Sequence, residues 1–274
     1  MQSGPIGIFD SGYGGLTVMK EIVKKLPQYD YIYLGDNARA PYGNRSFETV
    51  YEYTLQCVNN LFNKGCNLII LACNTASAKA LRNIQQRDLP LMDSRLRVLG
   101  VIRPTAELLG NYSKSKNVGI LATSGTVSSN SYPIEIEKFF PEITVHQEAC
   151  PIWVPLIENN EFNNIGAEYF IQKHINNLLS KSNNIDTILL GCTHYPLLEN
   201  KIKEILPKNI TLLSQGNIIA NSLKDYLNRH NELEELCSKN GKVAFYTTDS
   251  TEIFDKQGDI FYGKKLKSEY LHIR

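Results

Sequence analysis

A chain of 274 residues, 42% hydrophobic and 21% charged, holds enough apolar material for one large core or two modest ones, which excludes a disordered or fibrous polymer. Its 29 basic and 28 acidic residues are well mixed and leave a net charge of +1, so no field favours nucleic acid or an anionic membrane surface. Met1 leads within a few residues into strand-like sequence, with no leader-like segment and no later run of membrane-spanning length; the expectation is a cytoplasmic protein with neither a membrane nor a nucleic-acid partner.

The first predicted element is the apolar run IGIF, followed by the loop DSGYGG and a helix from about Leu16 to Leu26. YIYLGD then leads through NARAPYG to a helix from about Ser46 to Lys64, and LIILA leads to a helix beginning near Thr75. Past a junction between Pro90 and Pro104, a second series runs in the same order: a helix near Thr105 to Leu109, strand VGILA with loop TSGTVSS, strand ITVHQEA, a helix over Ile165 to Ser180, and strand TILLG before a helix over Leu197 to Leu206. The tail from Ile210, with strand candidates TLLSQ and VAFYT, is expected to return to the first lobe. Strands alternating with helices argue for parallel sheets covered by helices. The repeated order implies a divergent duplication and an α/β fold of two pseudo-symmetric lobes, each a mostly parallel sheet flanked by helices. Residues 1–100 with 211–274 are assigned to the first lobe and 101–210 to the second, with the site between them.

Two stretches carry the chemistry. NLIILACNT (67–75) and DTILLGCTH (186–194) are apolar, β-branched runs that each end in one cysteine and a hydroxyl residue before helical sequence. Cys73 and Cys192 therefore belong at the mouths of two equivalent strand-to-helix turns, where parallel α/β folds place reacting groups. The other cysteines, Cys57, Cys66, Cys150 and Cys237, form no CxxC pair with them or each other and are read as core packing. Removing the α-proton of an amino acid needs a base stronger than a carboxylate. A free thiol titrates near about 8.5 and an aspartate near about 3.9, a gap of roughly 6 kcal/mol in proton affinity. A helix N-terminus favours the thiolate, and inversion of a stereocentre needs one thiolate to take a proton while a thiol on the other face returns it.

Asp10, ending the first strand, and His194, two residues past Cys192, are candidate assistants, with Glu158 in ACPIWVPLIE as a third acid. Ser11, Asn74, Thr75, Thr123, Thr126 and Thr193, each just beyond a strand, together with the Gly12 and Gly43 amides, suit the binding of carboxylates. Asp10 alone would be an ordinary helix cap, and Glu158 alone a surface carboxylate.

DSGYGG, DNARAPYG, LACNT, the TSGT loop, ACPIWVPLIE and GCTHYP occur in the order seen in the glutamate racemases of the cofactor-independent aspartate/glutamate racemase superfamily, and the chain resembles that family over nearly its whole length. The resemblance implies reversible interconversion of L- and D-glutamate without pyridoxal phosphate, metal or nucleotide, with Cys73 and Cys192 as alternating acid and base and Asp10 and His194 assisting. It implies that Asp10, Ser11, Tyr42, Gly43, Asn74, Thr75, Thr193 and His194 line the glutamate site, that Cys192 serves L-glutamate and Cys73 D-glutamate, that D-glutamate is supplied for peptidoglycan, and that the protein is a homodimer. The chain departs from the family pattern over Asp88 to Arg103 and in TTDS near Thr248.

Rival readings fit less well. A dinucleotide fingerprint from Gly12 has Thr17 where the third glycine belongs and sets Asp10 beside the pyrophosphate. A zinc site has no HxE or CxxC anchor, a cysteine hydrolase or a decarboxylase needs one thiol, and an amino-acid-binding protein needs none. An aspartate racemase shares the two-thiol logic and is separated from a glutamate enzyme by resemblance alone.

Overall fold

The computed structural model describes residues 2–273 and contains two parallel sheets flanked by helices. The larger sheet holds β1 (Ile6–Asp10), β2 (Tyr31–Gly35), β3 (Leu68–Leu71), β4 (Arg97–Gly100), β9 (Val243–Thr247) and β10 (Ser268–Tyr270), in the order β10-β9-β2-β1-β3-β4. The smaller holds β5 (Asn117–Ala122), β6 (Thr144–Ala149), β7 (Thr187–Gly191) and β8 (Thr211–Leu213), in the order β6-β5-β7-β8. Every strand of β1, β2, β3 and β7 is buried along its length, as expected of strands covered by helices on both faces.

The two sheets repeat one another. In each, the first strand of the series sits between the second and the third, with the fourth outside the third: β2-β1-β3-β4 corresponds to β6-β5-β7-β8. Equivalent glycines let a helix press on the equivalent central strand. A Cβ at Gly7 would stand 3.3 Å from Leu61 of helix Phe47–Asn63, and one at Gly119 would stand 2.7 Å from Leu178 of helix Ile165–Leu179.

This correspondence corrects one sequence expectation. The TLLSQ strand does not return to the first sheet; β8 pairs with β7 through Thr187↔Thr211, Ile188↔Leu212 and Leu189↔Leu213, as the counterpart of β4. The chain leaves the second sheet only after residue 213, through helix Gly216–Arg229, and then adds VAFYT as β9 beside β2. The Pro90 to Pro104 junction also contains an unanticipated strand, β4, paired with β3. Both sheets point the C-terminal ends of their central strands at a common cavity. Among the described residues no helix is long and apolar enough to cross a membrane.

Candidate active site

The cavity takes its walls from both sheets: Ser11, Tyr42, Gly43, Cys73, Asn74 and Thr75 from the first, and Thr123, Glu158, Cys192, Thr193 and His194 from the second. Cys73 follows β3 and is the N-cap of helix Asn74–Lys79, its sulfur accepting the Ala76 N–H at 3.4 Å. Ser11 Oγ lies 3.5 Å from the same sulfur. Burial pushes the Cys73 thiol up to about 12, and the neighbouring Asp10 carboxyl adds to the rise. The helix terminus predicted to favour a thiolate is present, but desolvation outweighs it.

Cys192 follows β7 in the equivalent place, with a different neighbour. Its sulfur lies 3.9 Å from His194 Nδ1, and His194 Nε2 lies 2.9 Å from Glu158 Oε1. Glu158 ends helix Trp153–Glu158, which packs beneath the His194 turn. Burial disfavours the imidazolium, but the hydrogen bonds and charges of Cys192 and Glu158 overcome it and His194 is pushed up to about 10. The second thiol thus faces an imidazole that is a cation at neutral pH.

Asp10, Thr126 and the Gly12 amide, all expected to touch a ligand, do not line the cavity. Asp10 is fully buried, its carboxylate accepting from the Gly12 N–H at 3.0 Å and from Thr193 Oγ1 at 3.3 Å. Burial raises its pKa, with His194 and the Gly12 amide pulling the other way. Thr126, also fully buried, closes a group of hydroxyls with Thr75 and Thr123, whose oxygens lie 3.4 and 3.1 Å from its own. Tyr42 is on the wall as expected, yet its hydroxyl is turned away and donates to Asp36, which also binds Arg39 and Thr248. Gly43 contributes more than an amide: its carbonyl accepts the Gly125 N–H at 2.8 Å, joining the two lobes at the cavity mouth.

The lobes also meet beneath the thiols. Thr17 donates to the Thr193 carbonyl at 2.8 Å, and Thr75 Oγ1 lies 3.0 Å from Thr123 Oγ1. Gly14 of DSGYGG has its reason here: a Cβ there would fall 2.3 Å from Thr193 Oγ1 and 2.4 Å from His194 Nδ1. The loop that follows β1 is a bearing surface for the CTH turn of the other lobe. Sequence reading did not single out Pro41, Asn44, Cys150, Pro151, Val154 and Pro155, which also line the cavity, because a packing cysteine and loop residues of this kind carry no local signal of a site. Among the described residues no group of three or more His, Cys, Asp or Glu side chains is placed to hold a metal ion.

The sequence profile of the Asp/Glu/hydantoin racemases matches residues 6–222. The chain belongs to that family. It is 39% identical over 270 residues to a glutamate racemase of Sulfurihydrogenibium sp., an alignment covering 98% of this chain and 97% of that one. Among solved racemases, a glutamate racemase isoform from Bacillus anthracis superposes with a TM-score of 0.90 at 31% identity, covering 100% of this chain and 99% of its own. The glutamate racemase of Francisella tularensis, solved with D-glutamate, gives a TM-score of 0.86 at 32% identity with the same coverage. These racemases share the two-lobed α/β architecture, and the chain is accordingly an isomerase of the cofactor-independent racemase family.

Proposed function

We propose that this protein interconverts L- and D-glutamate by a two-base mechanism in which Cys73 and Cys192 are the proton-transferring groups. The observation that carries the reading is the arrival of two thiols, from equivalent turns of two repeated sheets, on the wall of one cavity. In the L-to-D direction the Cys192 thiolate takes the α-proton and the Cys73 thiol gives its proton to the opposite face of the carbanion, leaving Cys192 protonated and Cys73 as thiolate. The reverse direction exchanges the roles, so no proton is gained or lost over the reaction. The surroundings favour this assignment: Cys192 sits beside an imidazole whose cationic form is favoured, whereas burial holds Cys73 as the thiol.

Around the thiols, His194 and Asp10 are the groups proposed to assist each sulfur, with Glu158 holding His194. Ser11, Asn74, Thr75, Thr123, Thr193 and the Gly43 loop are proposed to hold the carboxylates and ammonium of glutamate, where donors aimed at the α-carboxylate stabilise charge as the proton leaves. The lobes are read as residues 1–100 with the tail, and the intervening segment extended to include β8. The wider reading is that of a cytoplasmic, homodimeric enzyme supplying D-glutamate for peptidoglycan.

Proton NMR of L-glutamate, and separately of D-glutamate, in D2O with chelator and no added cofactor tests the proposal. Loss of the α-proton signal with formation of the opposite enantiomer supports it. Exchange with aspartate but not glutamate moves the substrate, and exchange with no amino acid ends the reading.

A further inference from the structure

Behind the cavity wall a set of buried side chains from both lobes is joined by hydrogen bonds whose direction can be deduced. Gln215, between β8 and helix Gly216–Arg229, has its side-chain amide 3.3 Å from the Val101 carbonyl and 2.9 Å from Thr105 Oγ1. The hydroxyl hydrogen of Thr105 is already committed to Val101 O at 2.7 Å, so Thr105 Oγ1 can only accept. A group that faces two acceptors must be the donor end of the amide. Gln215 Oε1 is thereby turned toward Asn74, which donates to it at 2.7 Å. That in turn fixes Asn74 with Oδ1 toward Tyr132, whose hydroxyl donates at 2.6 Å, and the Tyr132 oxygen accepts the second N–H of Gln215 at 2.9 Å.

Asn74, Gln215 and Tyr132 therefore form a closed ring in which each group donates to the next in one rotational sense. Its polarity is set by a backbone carbonyl, that of Val101, and no member can flip its amide without breaking several bonds at once. All three side chains are buried, and burial raises the Tyr132 pKa so far that its hydroxyl stays a donor at every working pH. The ring uses one N–H and the carbonyl of Asn74. One N–H is left over, on a residue that lines the cavity directly after Cys73.

We infer that Tyr132 and Gln215 are positioning residues for the racemisation, holding the Asn74 amide in a single orientation so that its remaining N–H is presented to the substrate. The inference rests on the functional reading above and adds two residues to it that touch neither substrate nor thiol. It also gives the second lobe a say in the geometry of the first: Tyr132 belongs to helix Ser131–Phe139, whereas Asn74 follows β3.

The test is a mutant cycle on the full-length protein, with L-glutamate racemisation as the readout. Tyr132→Phe is expected to lower kcat/KM by about ten-fold, mainly through KM, because a binding donor is loosened while the thiols keep their places. Made in an Asn74→Ala background, the same substitution is expected to change kcat/KM by less than about two-fold, since the group it acts through is gone. Gln215→Met, which removes the amide at similar volume, should give the same two results and serves where Tyr132→Phe does not fold. A loss confined to kcat, no loss, or an undiminished loss in the Asn74→Ala background overturns the inference. α-Proton exchange by the wild-type protein separates the two levels: if the folded wild type does not exchange glutamate, the functional reading fails, and if it does while the cycle is additive, only the positioning role fails.

Discussion

Cys73 and Cys192 occupy the same address in two copies of one strand-helix unit, yet the two sulfurs have different neighbours. Cys73 meets a hydroxyl and a backbone amide, with a buried carboxyl close by, and is held as a thiol. Cys192 meets an imidazole backed by a carboxylate. Duplication supplies the position of each sulfur; the side chains around it, unlike in the two copies, set what it meets.

The largest effects should come from removing either sulfur. Cys73→Ala and Cys192→Ala are each expected to lower racemisation by about 10³-fold or more, followed by circular dichroism of glutamate; near-full activity in either variant would end the two-base scheme. Next come the assistants, where His194→Asn and Asp10→Asn should each cost about 10²-fold. Enantiomers have equal free energies, so kcat/KM has to fall equally in both directions. The asymmetry between the half-sites must therefore be sought in isotope effects: with α-deuterated substrate, His194→Asn should raise the effect for L-glutamate more than for D-glutamate, and Asp10→Asn the reverse. Identical isotope effects in the two variants would erase the distinction between the half-sites.

Glu158→Gln, which keeps a hydrogen-bonding group but removes the charge facing His194, should cost about ten-fold and draw the alkaline limb of the pH profile downward. The same pair governs stability against pH. His194 has a folded pKa raised from 6.5 to about 10, so the stabilisation from its charged form is complete below about pH 6.5 and is lost as pH climbs to about 10. The Tm difference between wild type and His194→Asn should shrink across that window in melts recorded at successive pH values; a constant difference would show that the imidazole is not held as a cation. The smallest catalytic effect is expected at Tyr42→Phe. Its hydroxyl serves Asp36, so KM should move by less than about two-fold while stability drops by about 1–2 kcal/mol in denaturant titration.

The sequence was informative wherever a property is local. Fully buried parallel strands read as unbroken apolar runs, and IGIF, LIILA and TILLG were legible for that reason, as were the cysteines that end two of them. Short strands at the sheet edges were not: β8 is three residues long, and nothing in TLL distinguishes a partner in one sheet from a partner in the other. Its place follows only from the repeat of β4. Tyr132 and Gln215 escaped notice because their bonds to Asn74 span 58 and 141 residues of sequence and leave no motif. Tyr42 shows the opposite limit: its ring lines the cavity, but the resemblance says nothing of where its hydroxyl is spent.

The matching strand orders of the two sheets have a geometric consequence. A chain built of one hand of amino acid can repeat itself by rotation but never by reflection, so β2-β1-β3-β4 and β6-β5-β7-β8 are copies and not mirror images. A ligand and its enantiomer are related by the operation that such a scaffold cannot perform. The same pocket must meet left- and right-handed forms with a frame that is itself handed, and the unlike company kept by its two sulfurs is the form that this broken parity takes in the molecule.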